Sequence, residues 1–163
     1  WLFEVKAGAT TVWERWNSYD PAQGFGDSEM NSFNHYAYGA VIEWLYQYVL
    51  GIAADPTQPG FRKIILQPTM DRGEKFNEED RIDHVCGSYR SPYGKITVKW
   101  ESNQGKLSSY EVRLPANTEA TLYLPIAENQ IIHLPAKSVI HNGQPCQQID
   151  LTAGTWQFIV ETQ

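Results

Sequence analysis

The sequence predicts an α+β chain in which a helical region is followed by an antiparallel β-sandwich. Three observations carry this prediction. Between Phe33 and Leu50 apolar residues recur at spacings of three and four, which is the period of a helix. After about residue 60 apolar and polar residues alternate, as they do in a strand with one buried face. Turn-forming groups then interrupt the chain at short intervals, the rhythm of a sandwich.

The first element expected is a short helix. The chain opens at Trp1 as WLFEVKAG, with no initiator methionine, and Gly8 is suited to end the helix. Such an opening predicts a piece of a longer protein. The next helix is predicted over Phe33 to Leu50, started by Asn31 or Ser32 and ended by Gly51. One face carries Phe33, Ala37, Ala40, Val41, Trp44, Leu45 and Tyr48, and the other carries Tyr38, Ile42, Tyr46 and Val49. A helix apolar nearly all round is expected to be buried in a larger helical body.

ADPTQPG, residues 54 to 60, reads as a linker, which places the domain division at 1–58 and 59–163. In the second part, KITVKW sets Ile96, Val98 and Trp100 on one face, and Trp156, Phe158 and Val160 repeat that pattern. Turns are expected at SPYG (91–94), NQGK (103–106), PANT (115–118) and Asn142-Gly143, a favoured two-residue hairpin turn.

Composition narrows the class of function. With 42% hydrophobic and 13% aromatic residues in 163, the chain can bury a core. A net charge of -6 leaves no basic stripe for a phosphate backbone, so nucleic acid is not an expected partner. No apolar run has the length of a membrane span, and no membrane partner is expected. The first residues lack the order of a signal peptide, and the compartment stays open. Cys86 and Cys146 are compatible with a bridge or with free thiols. No metal or other cofactor is expected, because His84, His133 and His141 all fall in the strand region and His35 has no second ligand at metal-binding spacing.

Two clusters in the helical part carry chemistry. In GATTVWERWNS (8–18), Glu14 stands between Trp13 and Trp16 with Arg15 beside it. An acid flanked by indoles suits a sugar, whose apolar face stacks on a ring while the carboxylate handles hydroxyls or a water. The alternative is structural: the indoles are core and Glu14 pairs with Arg15 or another cation. In NSFNHYAYG (31–39), Asn34 and His35 fall where a helix start presents polar groups, and the alternative is a histidine that braces the preceding loop. SYDPAQGFGDSE (18–29), rich in glycine and polar residues, reads as a mobile rim.

GATTVWERWNS, MNSFNHYAYGAVIEWLY (30–46), PGFRKIILQP (59–68), GSYRSPYGKITVKW and VRLPANTEATLYLP resemble, in this order, the C-terminal part of bacterial α-L-rhamnosidases of glycoside hydrolase family 78. The resemblance runs over nearly the whole chain. It implies the last helices of an α/α barrel of six helical hairpins, then a C-terminal β-sandwich. It also implies hydrolysis of terminal α-L-rhamnosides with inversion, with Glu14 as general base and His35 in contact with rhamnose. Trp13, Trp16 and Asn34 would complete the sugar site. The implied partners are a rhamnose-containing glycoside or polysaccharide and the preceding part of the same chain. The family's general acid has no counterpart here, so the chain alone is expected to be inactive. Asn17 and Ile42 depart from the family's usual residues.

Two other readings compete. One is a carbohydrate-binding sandwich using Tyr89 or Tyr93 as a stacking platform, Trp100 being turned to the core by the alternation. The other is a different glycosidase or a lyase with the same barrel. A lyase acting on uronates would need a cluster of cations, and the helical part has only Lys6 and Arg15.

Overall fold

A computed structural model describes residues 1–73, 81–127 and 129–162. Two units emerge from its contacts, Trp1–Trp44 and Leu45–Gln163.

The first unit is sparse in regular structure. Helix α1 (Leu2–Lys6) gives way to an irregular segment, and β1 (Tyr19–Asp20) then pairs antiparallel with β2 (Gly24–Phe25). The segment expected to be a mobile rim therefore contains a small hairpin. Its turn is closed by Asp20, whose Oδ1 accepts the N–H of Ala22 at 2.7 Å and of Gln23 at 3.1 Å.

The second helical stretch starts later than its periodicity predicts. It begins as a 3-10 turn at Tyr36–Gly39, continues as α2 (Ala40–Trp44) and widens to a π-helical turn at Leu45–Leu50. Neither Asn31 nor Ser32 caps it. Ser32 instead spends its backbone on Glu14 and accepts the Asn34 N–H on its hydroxyl at 3.2 Å. Tyr38, Ile42, Trp44 and Tyr48 are about half exposed, so the described residues do not enclose this helix as expected. Gly51 ends it as predicted. It has φ +78, and a Cβ there would lie 2.4 Å from the Gln67 carbonyl carbon, so only glycine fits.

The second unit is built on one seven-stranded sheet. Its strands are β3 (Ile52–Ala54), β4 (Lys63–Leu66), β5 (His84–Ser91), β6 (Gly94–Asn103), β7 (Lys106–Pro125), β9 (Lys137–His141) and β10 (Gln144–Ile159). Two short strands, β8 (Gln130–Ile131) and β11 (Glu161–Thr162), form a separate pair. Long strands β7 and β10 run antiparallel through the middle. The first half of β7 carries β6, which carries β5, and its second half carries β4, which carries β3. The β4–β7 pair is parallel, Lys63 to Leu66 lying against Glu119 to Leu122, so the sheet is not wholly antiparallel as expected.

The ADPTQPG segment, read as a linker, connects β3 to β4 within this sheet. Asp55 fixes it by accepting the Thr57 N–H at 2.8 Å and hydroxyl at 2.6 Å, and pairs with Lys63 at 3.4 Å. These bonds hold the Asp55 carboxyl below the usual carboxylate range, the Thr57 hydroxyl contributing most.

Alternation correctly identified the core strand, because Ile96, Val98 and Trp100 have no exposed surface. The Trp100 indole N–H donates to the Val49 carbonyl at 2.9 Å, and the Thr69 N–H to the Tyr48 carbonyl at 3.1 Å, so groups from outside the helix satisfy carbonyls of its last turn. Turns at SPYG, NQGK and Asn142-Gly143 lie where predicted, and Asn142 and Gly143 have φ 49 and 74, as the tight hairpin turn requires.

PANT is different: it forms no strand-ending turn. Leu114 faces Gly154 and Glu119 faces Thr152, so residues 115–118 bulge out opposite the single residue Ala153 while β7 continues. Turn residues here build a bulge. Cys86 and Cys146 are both free, the first exposed and the second buried.

Candidate functional site

Residues 11–14 run beside residues 32–35 and are stitched to them without forming a sheet. Glu14 N–H donates to the Ser32 carbonyl at 2.8 Å, and His35 N–H to the Val12 carbonyl at 2.8 Å. A bond from the Thr11 hydroxyl to the Phe33 carbonyl adds a third stitch. The two clusters singled out in the sequence thus become neighbours through backbone pairing. An interlocked aromatic group stiffens the pair: the Trp13 ring lies 5.5 Å from Phe33 and 6.3 Å from Tyr19, each nearly edge-on.

Glu14 lines a cavity of about 560 Å³ within this unit. Trp13 and Trp16 line it too, together with Trp1, Arg15 and Tyr38. The two expected indoles play unequal parts, since Trp13 is buried and Trp16 is 56% exposed. Trp16 meets Trp1 edge-on at 5.1 Å, and Trp1 meets Tyr38 at 6.4 Å, so this aromatic wall is drawn from three segments.

The Glu14 carboxylate is held by one backbone bond, Oε2 accepting the Ser32 N–H at 2.8 Å. Among the described residues no cation lies within ion-pairing distance of it. Arg15 turns its guanidinium to the Glu29 carbonyl at 3.0 Å. The structural alternative, a Glu14–Arg15 ion pair, is therefore not what the geometry contains. An oriented carboxylate facing an aromatic cavity can accept a proton from a water or bind a hydroxyl.

His35 does not itself line the cavity. Its ring lies 4.5 Å from Tyr38, which does, and its Nδ1 is buried with no hydrogen-bond partner among the described residues. Asn34 is exposed and outside the cavity lining, so the site does not gather it with the others. Asn17 also lines the cavity.

Sequence reasoning missed Glu4. This acid is 4% exposed, lines the same cavity, and accepts the Trp13 N–H on Oε2 at 3.4 Å. Its signal was available, since it is the single charged residue among the first five and interrupts an otherwise apolar run. No group of three or more metal-ligating side chains occurs among the described residues.

Family comparison adds to this geometry. The model of the bacterial α-L-rhamnosidase C-terminal domain matches residues 51–138, more than half of the chain, and the model of the bacterial α-L-rhamnosidase six-hairpin glycosidase domain matches residues 1–49. The chain belongs to the bacterial α-L-rhamnosidase family. Similar α-L-rhamnosidases include one from Formosa agariphila, 39% identical over 97% of this chain, and one from Streptomyces avermitilis, 31% identical over 98%. The crystal structure of the Streptomyces avermitilis α-L-rhamnosidase complexed with L-rhamnose superposes on 98% of the chain with a TM-score of 0.68 and 31% identity. The chain spans 17% of the first relative and 14% of the second, so it corresponds to a small part of a rhamnosidase of ordinary length.

Proposed function

We propose that this chain supplies the general base of an inverting α-L-rhamnosidase that hydrolyses terminal α-L-rhamnosides. The observation that carries the reading is Glu14: a carboxylate fixed by the Ser32 N–H, free of any ion pair among the described residues, facing a cavity walled by three indoles. The Streptomyces avermitilis relative, bound to L-rhamnose in its crystal structure, supports the choice of sugar.

Inversion needs two carboxyl groups. One protonates the leaving oxygen, and the other removes a proton from a water attacking the opposite face of the sugar, the two standing about 6.5–9.5 Å apart so that the water fits. Glu14 takes the second part. The acid belongs to a region of the parent protein outside this chain, so the chain alone lacks useful activity. Trp13 and Trp16 exclude bulk water and pack the apolar face of the sugar, and His35, held beside Val12, contacts rhamnose from the side of Tyr38. The helical region belongs to the end of the six-hairpin catalytic domain, and the sheet forms its C-terminal companion.

The test is hydrolysis of an aryl α-L-rhamnoside by the full-length parent and its Glu14→Gln variant, with the product anomer followed by NMR. Inversion by the wild type and a loss of turnover of about 100-fold or more in the variant are expected, within the usual range for a lost acid or base. A variant that keeps most of its turnover would make Glu14 a brace for the loop at Ser32.

A further inference from the structure

Four segments of the sheet unit converge on one depression of about 890 Å³. The β3–β4 connection brings Gln58 and Arg62, the β5–β6 turn brings Tyr93, the β7 bulge brings Asn117, and the paired residues Glu119 of β7 and Thr152 of β10 stand where the ladder resumes. The opening arises from the broken ladder: where four residues of β7 face Ala153 alone, the strands have no regular partners to close on.

Its walls are pre-set. Thr118, buried beneath the bulge, donates its hydroxyl to the Pro115 carbonyl at 2.7 Å. In the neighbouring turn the Ser91 hydroxyl donates to the Gly94 carbonyl at 2.9 Å and accepts the Tyr93 N–H at 3.2 Å. A Cβ on Gly94 would stand 3.0 Å from the Pro115 Cβ, so this turn leans directly on the bulge. Tyr93 is thereby held at the rim with 42% of its surface exposed. A backbone already fixed at the turn and at the bulge loses less entropy when a ligand arrives.

Charge decides the class of ligand. Lys63 is already paired with Asp55. Arg62 and Glu119 are exposed, form no ion pair among the described residues, and are held side by side by the Glu119 N–H bond to the Arg62 carbonyl at 3.0 Å. Together they offer a donor fork and an acceptor pair with no net charge, and Gln58 and Asn117 add amides that both donate and accept. An anionic sugar would meet Glu119 as well as Arg62. A neutral polyhydroxylated ring, with an apolar face for Tyr93 and paired hydroxyls for Arg62 and Glu119, meets a partner at every group.

We propose that the C-terminal sheet carries a glycan-binding site of its own, centred on Tyr93, Arg62 and Glu119, which holds a neutral stretch of polysaccharide without taking part in its cleavage. This goes beyond the role given to Glu14 and stands whether or not that role is correct.

Affinity electrophoresis of the full-length parent tests it, in gels containing a neutral rhamnan and in gels containing polygalacturonate. Wild-type protein should be retarded by the rhamnan. Tyr93→Ala and Arg62→Gln should each weaken that retardation about tenfold, the change expected for truncating a central contact, and Tyr93→Phe should retain it. Hydrolysis of a small aryl α-L-rhamnoside should stay within about twofold of wild type in all three variants, because the depression lies in the unit that lacks Glu14. No retardation of the wild type by rhamnan, or retardation unchanged by both weakening substitutions, would overturn the site. Retardation by polygalacturonate alone would overturn the neutral ligand.

Discussion

Residues 1–44 and residues 45–163 solve the problem of holding a shape in different ways. The second unit removes large apolar side chains from water altogether: Ile64, Leu66, Val98, Trp100, Leu107, Val112, Leu122 and Leu124 have no exposed surface. Two long strands supply the frame, and burial does the rest. In the first unit the only buried apolar side chain of size among the described residues is Trp13. Its loops are set by a few polar bonds, a reciprocal pair between Glu14 and Ser32 and single bonds of His35 to Val12 and of Trp13 to Glu4, and by rings meeting edge-on. The contrast teaches that the proposed chemistry sits where position depends on a few directional contacts, while the sheet tolerates a bulge between its two middle strands because the side chains around it are densely buried.

The largest effect expected from this contrast is in the sheet. Trp100→Ala should cost about 3–5 kcal/mol of unfolding free energy in the second unit, read by denaturant unfolding with the β signal in circular dichroism as probe. A cost near that of a surface substitution would break the comparison, since Trp100 also ties the sheet to Val49.

Next comes Glu4→Leu, which leaves the buried Trp13 N–H without its acceptor. Local protection of that amide in hydrogen exchange should fall by about 1–3 kcal/mol, whereas Glu4→Gln, which keeps a carbonyl oxygen in place, should fall by less. Equal effects would show that volume, and not the directional bond, holds the segment.

A smaller and opposite effect is expected at Tyr110. Its hydroxyl is buried with no partner among the described residues, and burial pushes its ionisation well above the ordinary tyrosine range. Tyr110→Phe should therefore raise the stability of the sheet by about 1 kcal/mol, measured as a shift in the denaturation midpoint at unchanged slope. Destabilisation would show that the hydroxyl is satisfied in solution.

The smallest effect concerns pH. The Asp55 carboxyl is lowered by Thr57 and Lys63, so its stabilisation is complete above the unfolded value of about 4 and is lost as pH falls through the lower folded value. Asp55→Asn should flatten the acid limb of the stability curve below about pH 4 and leave stability at neutral pH only slightly reduced. Unfolding midpoints collected from pH 2 to 7, on the usual carboxylate scale, read this directly.

What the sequence revealed depends on how local each cause is. The strand at Ile96, Val98 and Trp100 was legible because a period of two and a single buried face belong to the same short segment. Asn142-Gly143 was legible because few residue pairs accept φ 49 and 74 in succession. PANT misled, since the residues that reverse a chain also serve a bulge, and the choice is made by β10 lying opposite. Asn31 and Ser32 misled as helix caps for a similar reason: Ser32 is engaged by Glu14, eighteen positions earlier. Family motifs pointed to Glu14 and His35 as site residues, and the structure brings their segments together. Glu4 was visible as the one charge in an apolar run, but its role needed the fold, because an acid on a short helix normally faces water and this one is turned inward to accept the Trp13 N–H.

The parallel pairing of β4 with β7 has a consequence for time. Lys63 and Glu119 are neighbours in space, yet β5, β6 and half of β7 lie between them along the chain. Hairpins such as β9–β10 close over two residues and form within microseconds, whereas a pairing that encloses so long a loop must wait for its entropy cost to be met by contacts already made. The order of assembly that follows is meander first and parallel seam last. Until that seam closes, one flank of β7 near Leu122 presents unpaired backbone to any other strand it meets, so this stretch is where crowded or heated samples of the protein would begin to associate.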